Sequence, residues 1–233
     1  ALSKVPQLLL LAQQEDQLLP ALAALVKGIT TYLVDQKAAN ESQLITATLA
    51  AIYAIYSSLE ANSKEMELVA VRLVPPLLKA TEKKVQGARA ASTQFGKTAV
   101  ALVELAAPSE RVLEVMLSKL YTKELTGDHE CLWTANALGS FVRATPQQVE
   151  PATPEMYAVS QGLLHLLEHK SDQVRDAAIS SVCDLAKVNK ELATSLTAET
   201  KKFNKQLAVK LGKAVDEATV HYTAVELGSP HSS

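Results

Sequence analysis

Aromatic residues are scarce in this 233-residue chain, 4% in all with a single tryptophan, and glycine is rarer still at 8 residues. Since 48% of the chain is nevertheless apolar, the interior must be made of Leu, Val and Ala, which suits close-packed helices. Strands would want β-branched and aromatic residues in alternation, and no period-two run is found. Two cysteines, Cys131 and Cys183, are too few for a disulfide framework. They read as reduced thiols inside apolar helix patterns, which places the chain in the cytoplasm. With 23 basic and 25 acidic residues, net charge −2, there is no bulk attraction for nucleic acid or an anionic membrane. No apolar run is long enough to span a bilayer, and the Leu8 to Ala12 run lacks the charged lead of a signal peptide. A glycine-rich phosphate loop, a nucleophile elbow and paired cysteines are all absent, so neither an enzyme nor a bound cofactor is expected. The chain opens on Ala rather than Met, which is compatible with a segment of a larger polypeptide or complex.

What the chain does have is helical periodicity, seen best in 171–188. Val174, Ala178, Val182, Leu185 and Ala186 recur at three-and-four spacing on one side of a helix, with Ser171 and Asp172 as capping candidates. Upstream, 154–169 carries Met156, Val159, Leu163, Leu166 and Leu167 in the same way. A connection of two or three residues forces the pair antiparallel, and the resulting hairpin needs a neighbour to cover its outer face. Comparable pairs occupy 15–62, 63–107, 108–146 and 152–190. The polar residues that open their second helices, Asn40, Glu82, Asp128 and Asp172, stand at intervals of 42, 46 and 44 residues, the period of solenoid repeats of roughly 40 to 47 residues.

Asp172, Val174, Arg175, Ala177 and Ala178 resemble the D-x-V-R-x-x-A start of the second helix of a HEAT repeat. Glu130 to Leu138, with Trp133 and Asn136, is similar to the groove-lining third helix of armadillo repeats. The resemblance implies an all-α protein, a right-handed α-solenoid of about four HEAT- or armadillo-like hairpins in one domain. A cap helix at 1–14 and one long helix at 191–227 would close its ends, and 228–233 would be a disordered tail.

The function implied is an interaction scaffold or adaptor holding a protein or peptide on the inner layer of second helices. Trp133 would supply contact area and Asn136 would grip the backbone of the partner, although simple core packing of Trp133 fits equally. Arg175 belongs to the same layer. Lys201, Lys202 and Lys205, with Lys213, fall on one third of the expected tail helix and would meet an acidic partner, or be solvated lysines opposite an apolar seam. The alternative is cytoskeletal. Lys79, Lys83 and Lys84 at a hairpin turn resemble the tubulin-binding edge of TOG arrays, and the Ala-rich 88–107 looks like the packed bundles of talin and vinculin. His165-Leu166-Leu167-Glu168-His169 matches the H-x-x-E-H string of inverted zinc proteases. With no third ligand in sight, these residues read as a helix end where a protonated His169 is favourable, and no metal is expected.

Overall fold

The computed structural model describes residue 7 and residues 18–34, 42–82, 89–122, 127–145 and 153–227, with side chains for all of these but 42, 89, 90 and 221–227. The expected cap helix at 1–14, Gln7 apart, and the tail at 228–233 lie outside the described residues. Ten helices and no strand are described: α1 (Leu18–Val34), α2 (Ser42–Ser57), α3 (Lys64–Ala80), α4 (Arg89–Ala106), α5 (Glu110–Tyr121), α6 (Asp128–Ala144), α7 (Pro154–Leu167), α8 (Asp172–Val188), α9 (Lys190–Phe203) and α10 (Lys205–Leu227).

Ser171, the expected cap of α8, stands at its N-cap without a side-chain capping bond, whereas side-chain oxygens do start other helices. Ser63 accepts from Met66 N at 3.1 Å, Ser109 from Val112 N at 3.4 Å and Thr153 from Met156 N at 3.3 Å, each satisfying an amide that has no partner in the first turn. The helix α3 continues through Pro75 and Pro76. The apolar stripes then decide the packing. Met156, Val159, Leu163, Leu166 and Leu167 of α7 are all buried, as are Val174, Ala178, Val182, Leu185 and Ala186 of α8.

Two layers result. The first helices α1, α3, α5, α7 and α9 each pack on the next of that series, and so do the second helices α2, α4, α6, α8 and α10. Helices in substantial contact are never more than three apart in the chain. This is an α-solenoid, in which each repeat touches only its neighbours; a bundle of the talin and vinculin kind would bring remote helices around one centre.

The C-terminal part differs from the sequence reading. In place of one long helix over 191–227 there is a fifth pair, α9 and α10, packed on each other and on the α7–α8 pair. The break is Asn204, whose backbone is extended at φ −147° and ψ 99°. Its amide donates to Thr200 O at 2.8 Å, closing α9, and its Oδ1 accepts from Leu207 N at 3.0 Å, opening α10. Asn189 makes the same joint between α8 and α9, at φ −146° and ψ 91°, with Oδ1 accepting from Leu192 N at 3.0 Å. One consequence is that Phe203, the last residue of α9, is 43% exposed beside the joint.

Candidate partner-binding surfaces

The second-helix layer is closely knit. An added Cβ at Gly96 of α4 would lie 2.1 Å from the Trp133 ring, and one at Gly139 of α6 would lie 2.5 Å from Ser181 Oγ. Only glycine lets the helices approach this far. Polar contacts run across the same layer. Ser140 Oγ donates to Glu104 at 2.9 Å, Ser181 Oγ donates to Ala135 O at 2.8 Å, Arg143 pairs with Asp184, and Lys210 reaches Asp176 at 2.6 Å.

Trp133 and Asn136, the residues first singled out for partner contact, sit three apart on α6 and are both half-buried. Trp133 lies over Gly96 and packs against the core, while Asn136 Nδ2 donates to Leu132 O of its own helix at 3.0 Å. Arg175 turns inward as well. Its guanidinium donates to the carbonyls of His169 and, at 2.9 Å, Lys170, and pairs with Asp172. It thereby ties the turn between α7 and α8 to the first turn of α8. The lysines of the tail are divided by Asn204: Lys201 and Lys202 end α9, whereas Lys205 and Lys213 belong to α10. Lys202 pairs with Glu199 at 2.6 Å.

The turn edge holds a different chemistry from that expected. Glu82, read as the start of a second helix, is a turn residue after α3 whose carboxylate accepts from Glu130 N at 2.7 Å, capping α6 of the next pair. Lys79 is exposed there, and Lys83 and Lys84 lie outside the described residues. Burial pushes the Glu130 carboxyl up, with Lys119 opposing. Burial pushes the Cys131 thiol up to about 11, so it stays protonated and unreactive at neutral pH.

The H-x-x-E-H string is divided by the end of α7. Glu168 is the C-cap, leaving His165 on the helix and His169 beyond it. His169 Nδ1 accepts from Ser171 N at 3.1 Å, and its Nε2 lies 3.9 Å from Asp128. Burial lowers its pKa in spite of Asp128, which favours neutral imidazole where a cation was expected. Among the described residues no group of three or more His, Cys, Asp or Glu side chains is gathered to hold a metal ion, and no helix is long and apolar enough to cross a membrane.

An unforeseen feature lies on the first-helix layer. A hollow of about 610 Å³ between α1 and α3 is lined by Val26, Lys27, Thr30, Leu68 and Arg72 among others. A second of about 770 Å³ continues it toward α5, lined by Leu19, Lys64, Leu68, Val71, Arg72 and Val115, with Glu67, Arg111 and Glu114 at its edge. Sharing Leu68 and Arg72, the two form one trough with an apolar floor. Glu67 is taken up by Arg111 at 3.3 Å and by Ser109 Oγ at 2.8 Å. Among the described residues Lys27, Lys64 and Arg72 have no acidic partner, and Glu114 is the one carboxylate of the lining without a cation.

No family model matches the chain, and no curated protein sequence matches it. Among solved structures it is similar to computationally designed armadillo repeat proteins for modular peptide recognition, at 20% identity and a TM-score of 0.40, over 93% of this chain and 91% of that one. The assignment as a solenoid stands on the helix packing itself.

Proposed function

We propose that the chain is a protein-interaction scaffold that holds a segment of a partner protein in the trough on its first-helix layer. The observation that carries this reading is the combination of a continuous apolar floor, from Val26 through Leu68 to Val71 and Val115, with three cations around it that have no acidic partner among the described residues. Apolar side chains of the partner would be buried on the floor, and its carboxylates would meet Lys27, Lys64 and Arg72. That division of labour, contact area from the centre and orientation from the charged rim, is the one found in helix-in-groove and peptide recognition. In this reading Trp133, Asn136 and Arg175 maintain the stack and the partner does not touch them. The chain acts by binding, without a catalytic step.

Photo-crosslinking in cells distinguishes the two layers. A benzophenone side chain placed at Leu68 is expected to trap a partner polypeptide, and the same group at Asn136 is expected to trap none. An adduct formed only from Asn136 would transfer the site to the second-helix layer, and adducts from neither position would overturn the scaffold reading.

A further inference from the structure

The last pair ends the described stack and leaves one flank of its second helix open. Each of α4, α6 and α8 lies between two helices of its own layer, whereas among the described residues α10 has α8 as its one neighbour in that layer. A hollow of about 620 Å³ opens between α9 and α10, floored by Ala198, Ala208 and Gly212, with Lys201 and Lys205 near the Asn204 joint and Asp216 farther along.

Three features of this face point to the same occupant. First, Lys205, Val209, Gly212 and Asp216 follow one another at intervals of four, three and four, so they form one stripe along α10, about 16 Å from end to end. It is basic at one end, acidic at the other and uncharged between. Second, neighbouring lysines are satisfied within the chain: Lys202 by Glu199 at 2.6 Å, Lys210 by Asp176 at 2.6 Å and Lys213 by Glu217 at 3.9 Å. Among the described residues Lys201, Lys205 and Asp216 have no such ion pair. Third, Val209 is 75% exposed, and one turn away an added methyl at Gly212 would meet only Thr197 Cγ2, at an ordinary 3.4 Å. Packing inside the chain therefore gives no reason for glycine there, although glycine weakens a helix interior.

We propose that this face binds a second copy of the chain, α10 against α10, antiparallel about a two-fold axis. An isologous interface requires a surface complementary to itself, and this stripe has that property. The register that seats Val209 in the notch at Gly212 of the second copy also sets Lys205 opposite Asp216 of the second copy, and symmetry repeats both contacts. Lys201 adds to the basic end. The inference is independent of the trough on the first-helix layer.

Sedimentation of the 233-residue chain over a concentration series tests this. A monomer–dimer equilibrium is expected, and Val209→Lys should raise its Kd about tenfold or more, since a charge replaces a central apolar contact. Lys205→Glu and Asp216→Lys should each weaken association. An equimolar mixture of these two variants, or the double variant, should restore it, because opposite charges face each other again. All these positions are on the surface, so unchanged circular dichroism guards against misfolding. A chain that stays monomeric throughout, a dimer indifferent to Val209→Lys, or a charge exchange without rescue would each overturn the proposal.

Discussion

Gly96 and Trp133 show how much a single side chain depends on residues far away in sequence. The indole fills the space that a Cβ at Gly96 would need, so Gly96→Ala forces the ring off the α4 surface. Overpacking of this kind is expected to cost about 1–3 kcal/mol. Denaturant titration followed by the fluorescence of the one tryptophan would measure it, with native emission shifted to the red as the ring gains water. An unchanged midpoint and spectrum would contradict the packing described. The sequence marks Trp133 as important but not why, because its partner lies on the preceding second helix, and nothing in the spacing of residues 130–138 encodes that contact. The same is true of Arg175. The D-x-V-R pattern announces it, yet only the folded turn shows its guanidinium directed at the His169 and Lys170 carbonyls.

Among the elements, the joints matter as much as the helices. Asn204 satisfies an amide of α10 with its own side chain while ending α9 with its backbone. Asn204→Ala is therefore expected to destabilise the α9–α10 pair by about 1 kcal/mol, and Asn204→Ser to recover most of it; thermal unfolding of the three proteins would check both. Equal midpoints for wild type and Asn204→Ala would show that the side chain is dispensable. The faces of the helices could be read from the chain because three-and-four spacing reports directly on which side chains share a side. Val174, Ala178 and Val182 were legible in this way, and so was Leu185. The break at Asn204 was not, because the apolar spacing continues from Leu196 through Leu207 and a one-residue joint hardly disturbs it. What could have revealed it is Asn itself, a residue favoured at caps over helix interiors, standing here as Asn189 does at the start of α9. The trough was illegible for a different reason: Lys27, Lys64 and Arg72 come from two helices, and only their packing side by side turns scattered cations into a rim.

For the molecule as a whole, stability should be graded along the stack. The helix α6 is flanked by α4 and α8 in its own layer and touches α3 and α7 in the other; its Leu138 and Phe141 are fully buried. Among the described residues the helix α10 has a neighbour of its own layer on one flank only. Native-state hydrogen exchange is therefore expected to be slowest in α6 and faster by orders of magnitude in α10, with α8 between them, as nearest-neighbour coupling requires. Uniform protection across all three would mean that the stack unfolds as one unit.

Contacts confined to helices at most three apart have a meaning for biosynthesis. A growing polypeptide that makes α4 already holds α2 and α3, against which α4 packs, and each later pair in turn meets a finished surface. Little of the loop-closure entropy that slows folds with distant pairings arises here. The order in which a ribosome releases this chain can thus also be the order in which it is assembled, each turn of the wall serving as the template on which the next is laid.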